Sequence, residues 1–254
     1  MRVTVLGSGT SSGVPTIGCN CATCRSTDPR DQRLRTSVWI EQGTTSIVID
    51  TSSDFRTQCL RAGINRLDAV VYTHHHFDHI AGFDDLRAFN FAQHAPMPIY
   101  LMDETLEHMT RIFSYAFTPV ANSGSSRPQI DPTIIDLEPF TIGETMLLPL
   151  PLRHGAIRVN GYRIGDFAYC TDCNRIDDVS WERLEGTRIL ILDALRYTVH
   201  PTHFTVDQAV ETARRIGAEQ TYLTHIAHEI LHADGDTRLP DGINLAYDGL
   251  QFEL

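Results

Sequence analysis

The most restrictive feature of this sequence is an apolar run that ends in a dense group of histidines. Residues 69–79 read AVVYTHHHFDH. On an extended backbone alternate residues point the same way, so His74 and His76 can face one metal ion together. Asp78 and His79 follow at the turn into the next helix and can address a second ion. Layered α/β folds place functional groups at the carboxyl ends of strands, and the motif therefore predicts a metal site there.

Short runs rich in Val, Ile and Tyr alternate with helix-like patterns along the chain. Strands are expected at 2–7, 37–42, 46–51, 69–73, 98–102, 146–152, 161–170, 188–193, 221–224 and 250–254. Helices are expected at 54–62, 79–92, 103–116, 181–185 and 205–217. This alternation predicts a mixed α/β layered fold, with residues 1–254 forming a single domain.

Three local patterns add detail to this predicted fold. The segment EQGTTS separates the second and third predicted strands and predicts an antiparallel hairpin. Thr205 and Gly217 have the residue types that begin and end a helix. Residues 119–133 are rich in Pro, Ser and Gly, which predicts a long surface loop that could act as a lid.

The composition excludes several classes of protein. Apolar residues make up 42% of the chain, which is ordinary for a globular protein, and no apolar run reaches the roughly 18 residues that span a bilayer. The first residues, MRVTVLGSG, lack the features of a signal peptide, so a cytoplasmic location is expected. A formal net charge of −11 without a basic run disfavours binding to nucleic acid.

The HxHxDH pattern after a strand resembles the signature of the metallo-β-lactamase-fold hydrolases. This resemblance implies a four-layer αββα sandwich with two metal ions at one edge of its sheets. It also implies three later ligands at strand ends, a His, an Asp and a His, and the sequence offers His154, Asp172 and His225 in that order. The match then extends over nearly the whole chain.

The resemblance assigns a role to each of these residues. It implies that one metal ion is bound by His74, His76 and His154 and the other by Asp78, His79 and His225, with Asp172 bridging them. Imidazole and carboxylate ligands suit Zn²⁺, Mn²⁺ or Fe²⁺. Two such ions can hold a hydroxide between them, which Asp78 is placed to orient. Asp50 matches an acidic position that the family uses near the histidines, and we expect it to orient a ligand imidazole. A simple turn residue is the alternative for Asp50.

The string His203-Phe204-Thr205 resembles the HxT motif of the phosphodiesterase branch of this fold. That branch includes the tRNA 3′-processing enzymes and the phosphoribosyl cyclic phosphodiesterase of the carbon–phosphorus lyase pathway. The resemblance implies that His203 assists the departing alkoxide, a poor leaving group that a positioned imidazolium can protonate. The alternative is a helix-entry residue bonded to the backbone.

A second group of potential ligands lies near the N-terminus. Cys19, Cys21 and Cys24 occur within the string GCNCATC, and thiols this dense indicate a metal site or a disulfide. The carbon–phosphorus lyase phosphodiesterases combine such a CxCxxC loop with a His just past the last active-site ligand. The resemblance implies a structural Cys₃His zinc site in which His228 is the fourth ligand. Three reduced surface thiols are the alternative.

The sequence therefore predicts a metal-dependent phosphodiesterase, with Asp78 and His203 as the catalytic residues. Two divalent ions, Mn, Zn or Fe, would occupy the active site, and one structural Zn would bind the cysteines. A small cyclic or nucleotide-like diester is the expected substrate, no membrane partner is expected, and a homodimer is left open. Three alternatives remain: a thioester or lactone hydrolase of the same fold, a tRNA 3′-processing-like nuclease, and a non-catalytic metal-binding domain.

Overall fold

The computed structural model describes residues 1–118 and 127–254. The strands within these residues are β1 (Arg2–Gly7), β2 (Ser37–Gln42), β3 (Thr45–Ile49), β4 (Ala69–Val71), β5 (Met97–Leu101), β6 (Ile130–Ile134), β7 (Phe140–Ile142), β8 (Thr145–His154), β9 (Ile157–Ile164), β10 (Phe167–Cys170), β11 (Arg175–Ile176), β12 (Ile189–Asp193), β13 (Gln220–Thr224), β14 (Ile243–Leu245) and β15 (Gln251–Glu253). The α-helices are α1 (Phe55–Ala62), α2 (Phe77–Ile80), α3 (Leu86–Gln93), α4 (Asp103–Ile112), α5 (Ser114–Phe117), α6 (Asp178–Leu184), α7 (Val206–Ile216) and α8 (His232–Thr237).

The strands form two mixed sheets. The first has the order β15-β1-β2-β3-β4-β5-β6, and the second has the order β11-β8-β9-β10-β12-β13-β14, with β7 paired to β8. Strands β3 to β6 run parallel, as do β10, β12, β13 and β14. Parallel neighbours present their carboxyl ends at the same edge of a sheet, and this arrangement lets residues distant in sequence meet there.

Alternating side chains divide the interior into layers. In β4, Ala69 and Val71 pack between the two sheets, whereas Val70 packs with buried side chains of α1, α3 and α4. In β12, Ile191 faces the core between the sheets, and Leu190 and Leu192 pack with side chains of α6 and α7. Because each sheet buries both faces, its strands read as continuous apolar runs. The predicted αββα sandwich is confirmed.

The predicted hairpin and the predicted helix ends are also confirmed. Strands β2 and β3 pair antiparallel, with Gln42 opposite Thr45. Helix α7 begins with a capping box, in which the Thr205 side chain accepts from the Gln208 N–H and the Gln208 side chain accepts from the Thr205 N–H. It ends at Gly217, whose φ of 74° is the left-handed conformation that glycine adopts without strain.

Several boundaries differ from the sequence prediction. A 3-10 turn at Ala81–Asp85 interrupts the helix predicted at 79–92, and Phe113 separates α4 from α5. The long strand predicted at 161–170 is a hairpin of β9 and β10. The loop predicted at 119–133 is wrong at its end, because β6 begins at Ile130 and pairs parallel with β5. Residues 119–126 of that predicted loop lie outside the described residues.

Across the described ranges, no helix has both the length and the apolar character that crossing a membrane requires.

Candidate active site

The predicted metal ligands converge at one edge of the two sheets. His74 and His76 follow β4, and Asp78 and His79 lie in α2. The other three lie at or just beyond the ends of strands of the second sheet: His154 ends β8, Asp172 follows β10 by two residues, and His225 directly follows β13. The fold thus brings all seven residues together; we call this group the strand-end cluster.

Asp172 lies at the centre of the strand-end cluster. Its Oδ2 lies 3.3 Å from Nε2 of His79 and 3.8 Å from Nε2 of His74, and its Oδ1 lies 3.2 Å from Nε2 of His225. Asp172 belongs to three overlapping groups of candidate ligand atoms: with Asp78, His79 and His225, with His74 and His76, and with His154 and His203. A carboxylate shared in this way has the position that a bridging ligand requires.

Asp50 contacts the imidazole of His79 directly and that of His74 through the Thr73 hydroxyl. Nδ1 of His79 donates to Oδ2 of Asp50 at 2.7 Å, which directs Nε2 of His79 toward Asp172. The Thr73 hydroxyl donates to the same carboxylate oxygen at 2.8 Å, and it lies 3.0 Å from Nδ1 of His74. Because the hydroxyl proton is used on Asp50, His74 donates to Thr73 and keeps its Nε2 lone pair free. Asp50 therefore contacts one imidazole directly and a second through Thr73, and its orienting role stays a prediction.

The remaining imidazole nitrogens fit a metal centre. Nδ1 of His154 donates to the backbone oxygen of Thr202 at 2.9 Å, which also fixes the orientation of that ring. Within residues 1–118 and 127–254, Nε2 of His74, Nε2 of His79 and both ring nitrogens of His225 are buried without a hydrogen-bond partner. Leaving such groups unsatisfied costs about 1–3 kcal/mol each, and divalent ions between these nitrogens and the carboxylates would remove that cost.

The backbone at the cluster is held in an uncommon conformation. Asp50, Asp172 and His225 have φ values of 65°, 51° and 60°, in the left-handed region. Such conformations cost roughly 1–3 kcal/mol when the residue is not glycine, and they persist where the surrounding structure enforces them, often at functional sites. All three residues stand at or just after the end of a strand, where the turn aims the side chain across the sheet edge.

Burial and nearby carboxylates shift the pKa values of the imidazoles in opposite directions. Burial, reinforced by His79, holds the pKa of His74 well below its ordinary value, and burial lowers the pKa of His154 to about 4. At His79 and His225 burial opposes protonation, but carboxylates led by Asp172 outweigh it. They hold the pKa of His79 well above its ordinary value and raise that of His225 to about 9. The ionised carboxylates thus give this side of the cluster a field that attracts cations.

His203 lies against the cluster and is held by a residue that sequence reasoning missed. Nδ1 of His203 donates to Oδ1 of Asp193 at 3.0 Å, and the backbone N–H of Phe204 donates to Oδ2 at 3.0 Å. The backbone N–H of Asp172 also donates to Asp193, at 3.2 Å. Asp193 therefore ties His203 to the central carboxylate of the cluster. The sequence feature that could have identified Asp193 is its position, because it ends the apolar strand ILILD just as Asp50 ends SIVID.

The predicted cysteine site also assembles. Nδ1 of His228 lies 3.3 Å from Sγ of Cys19 and 3.4 Å from Sγ of Cys21, and all four candidate ligand atoms, including Sγ of Cys24, lie within 4.8 Å of one another. A hydrogen bond with His228 lowers the pKa of the Cys21 thiol to about 6, whereas burial raises that of Cys24 to about 11. Three sulfurs and one imidazole nitrogen are a donor set that fits a closed zinc site.

Comparisons with known proteins identify the fold and the family of the chain. The model of a family described as "Beta-lactamase superfamily domain" matches residues 45–226. A crystal structure of a diphosphatase from the PhnP family is 44% identical, with a TM-score of 0.93 over 100% of this chain and 98% of that chain. The short form of human tRNase Z is 18% identical, with a TM-score of 0.69 over 100% of this chain and 99% of that one, a likeness of fold alone.

One curated relative is a Porphyromonas gingivalis protein named octanoyltransferase, which is 39% identical over 99% of this chain. The match takes in 51% of that protein, so the chain spans about half the length of this relative. The family match over residues 45–226 and the 44% identity with the PhnP-family diphosphatase decide the classification. The chain belongs to the beta-lactamase superfamily, as a metal-dependent hydrolase of the metallo-β-lactamase fold and of the PhnP type.

Proposed function

We propose that this protein hydrolyses a small phosphodiester, cyclic or nucleotide-like, at the strand-end cluster, with His203 as the general acid. The observation that carries the proposal is the placement of His203. The residue is buried, and its ring centroid lies 4.5 Å from that of His154 and 4.6 Å from that of His225. An imidazole fixed beside the metal ligands, and not itself needed as one, is in place to protonate a leaving group.

The strand-end cluster would hold two divalent ions, Mn²⁺, Zn²⁺ or Fe²⁺ by the chemistry of its donors. Bound there, the ions would supply Lewis-acid stabilisation of the phosphate and a water activated for attack. Within the proposal, His74, His76 and His154 would hold one ion, and Asp78, His79 and His225 would hold the other. Asp172, which lies within ligand spacing of members of both sets, would contribute to both. Asp78 lies 14% exposed at the open side of the cluster, where its carboxylate can orient the attacking water.

The hydrogen bond to Asp193 determines which nitrogen of His203 acts. Because Nδ1 donates to the carboxylate, Nε2 is the nitrogen that delivers a proton to the departing oxygen. An alkoxide leaving group requires this proton, whereas the leaving thiolate of a thioester does not. The His203–Asp193 pair therefore supports phosphodiester hydrolysis over a thioester hydrolase.

The PhnP-family diphosphatase supports a second candidate, hydrolysis of a phosphoanhydride. The two reactions need the same ions and the same attacking water, but they differ in the leaving group. A phosphate leaves readily without protonation, whereas a ribose oxygen does not. The dependence of the rate on His203 therefore distinguishes the two substrate classes.

The test compares the parent protein with His203→Ala on three substrates: a 2′,3′-cyclic nucleotide, bis-p-nitrophenyl phosphate and a nucleoside diphosphate. With Mn²⁺ or Zn²⁺ present, we expect the variant to lose roughly 10²–10⁴-fold in kcat on the cyclic nucleotide. We expect a smaller loss on the p-nitrophenyl ester, because its leaving group is stable as an anion. Metal content, measured by elemental analysis, should equal that of the parent.

His200→Ala is the matched control, because His200 lies beside His203, with ring centroids 5.1 Å apart, and within the described part of the chain it hydrogen-bonds only to Thr202. It should retain the parent rate. Absence of diester turnover with every divalent metal would contradict the proposal, and activity on lactoylglutathione above that on diesters would establish the thioester alternative. If His203→Ala loses metal in proportion to rate, His203 is a ligand and the general-acid assignment is wrong.

A further inference from the structure

The middle histidine of the His-His-His run turns away from the strand-end cluster. The ring centroids of His74 and His76 lie 4.6 Å apart, whereas that of His75 lies 6.4 Å from His74 and 5.6 Å from His76. His75 instead stacks on His108 of α4, with centroids 3.8 Å apart and ring planes 4° from parallel. The alternation of side chains along the segment thus sends one imidazole to a second location.

Helix α4 adds a carboxylate at the same location. Glu104 and His108 are four residues apart, so they lie on one face of the helix. The candidate ligand atoms of His75, Glu104 and His108 all lie within 4.8 Å of one another, a spacing that the four-residue group around Asp172 also meets. Tetrahedral zinc with bonds of 2.0–2.1 Å places its ligand atoms about 3.3 Å apart. Binding would therefore require the three side chains to move closer together, and the exposed side chain of Glu104 is free to rotate.

The three side chains converge without bonding to one another. Among the described residues, neither the Glu104 carboxylate nor a ring nitrogen of His75 or His108 makes a hydrogen bond or ion pair. The other glutamate of α4, Glu107, pairs with Arg111 one turn further along the helix. The two imidazoles are half-buried and Glu104 is exposed, so the group is open to solvent on one side.

We propose that His75, Glu104 and His108 form an additional transition-metal site, separate from the strand-end cluster and from the cysteine site. Two imidazoles and a carboxylate are a donor set that binds zinc, with water in the fourth position. The bound ion connects α4 to the segment that carries His74 and His76. The bound ion therefore fixes the position of this helix relative to the segment that supplies two residues of the candidate active site. The proposal rests on these three residues and does not depend on the proposed reaction.

The experiment counts zinc in the parent, in His108→Ala and in a control variant, His94→Asn. His94 is exposed at the end of α3, outside all three groups of ligands, and its φ of 54° is one that asparagine tolerates. Each protein is dialysed against a series of buffered free Zn²⁺ concentrations up to saturation, and bound zinc per chain is measured by elemental analysis. We expect His108→Ala to bind one zinc fewer than the parent and His94→Asn to match the parent.

Thermal denaturation gives a second readout. An ion that binds only the folded state raises the melting temperature, so added Zn²⁺ should stabilise the parent more than His108→Ala. Glu104→Gln, a change at an exposed position, should weaken binding of the same zinc and serves if His108→Ala folds poorly by circular dichroism. Equal zinc counts in the parent, His108→Ala and Glu104→Gln at every free Zn²⁺ concentration would overturn the proposal.

Discussion

The strand-end cluster and the cysteine site share one short segment, since His225 and His228 are three residues apart, yet they are built in different ways. The seven residues of the strand-end cluster stand on or beside strands, and Asp50, Thr73 and the backbone of Thr202 orient three of its imidazoles. The cysteines lie in the segment between β1 and β2, where Cys24 is part of a 3-10 turn at Thr23–Arg25, and all three are half-buried.

The difference concerns what holds the ligands in place. At the strand ends, two packed sheets and a network of hydrogen bonds fix the donor atoms, so the site is formed by the fold. At the cysteine site the sulfurs belong to a segment with little regular structure, and among the described residues their bonds outside that segment are to His228 alone. The same segment contains a buried ion pair between Arg33 and Asp31, which bonds to the backbone at Ala227 and His232. We infer that the fold holds the donor atoms of the strand-end cluster in place before a metal binds. The cysteine site, in contrast, requires a bound metal to fix the position of its chain segment.

The largest effect is expected from Cys21→Ser. This variant should lose one zinc, and its free energy of unfolding should fall by roughly 5 kcal/mol or more, because structural zinc contributes about 10–16 kcal/mol of binding energy in small domains. Metals at the strand ends and diester hydrolysis should persist at temperatures where the variant is folded. The measurements are elemental analysis and thermal denaturation, and chelator-treated parent protein gives the metal-free reference. If the variant kept the melting temperature of the parent and lost the strand-end metals, the inferred difference between the two sites would be wrong.

The next prediction concerns the ion pair and hydrogen bonds that attach the same segment to the rest of the protein. The Arg33 guanidinium is fully buried, bonds to Asp31 at 3.0 Å and donates to the backbone oxygen of Ala227 at 3.2 Å. Asp31 in turn accepts from the backbone N–H of His232. Removing one partner of a buried ion pair costs about 3–5 kcal/mol, so Arg33→Met should lower the free energy of unfolding by that amount while zinc content is kept.

Arg30→Met is the matched control for this variant. Arg30 also pairs with an aspartate two residues away, Asp28 at 2.7 Å, but its side chain is 43% exposed. Exposed pairs contribute about 0–1 kcal/mol, so chemical denaturation should separate the two variants clearly. Equal destabilisation by both would show that burial of the Arg33 pair does not anchor the segment.

The sequence predicted His74, His76, Asp78 and His79 from the motif that follows an apolar strand, and the resemblance to the metallo-β-lactamase fold implied the three later ligands. It could not predict the left-handed backbone at Asp50, Asp172 and His225, which depends on turns fixed by tertiary packing. Asp193 was missed for a related reason: its role exists only because Phe204 and His203 return to the end of β12.

The missed strands show a second limit. Strand β6 reads IDPTI, is mostly exposed and lies at the edge of its sheet, where a proline is tolerated. Strands β7, β11 and β14 are two or three residues long, too short to show a period. The pairing partners of β11 and β14 are distant in sequence, so no local pattern predicts these two strands, whereas β7 pairs with β8 across the turn at Gly143 and Glu144.

The smallest of these effects is expected from Asp50→Asn, which probes the strand-end cluster without removing a ligand. Asp50 is fully buried and accepts from the backbone N–H of Thr73, from its hydroxyl and from Nδ1 of His79. An amide offers one acceptor oxygen in place of two, so either His79 or Thr73 loses its partner. Loss of such orienting contacts lowers metal affinity or activity about 10–100-fold, equivalent to about 1.4–2.7 kcal/mol.

Asp54→Asn controls for the loss of a nearby carboxylate, because Asp54 pairs with Arg35 at 3.0 Å and does not touch the cluster. Competition with a chelator should show weaker retention of the strand-end metals in Asp50→Asn alone, with the cysteine-bound zinc unaffected. If Asp50→Asn instead lost the cysteine-bound zinc, the two sites would be coupled through the segment from His225 to His228. If it retained every metal with parent affinity, the packed strand ends would orient His79 without help from this carboxylate, and preorganisation by the fold would be even stronger than inferred.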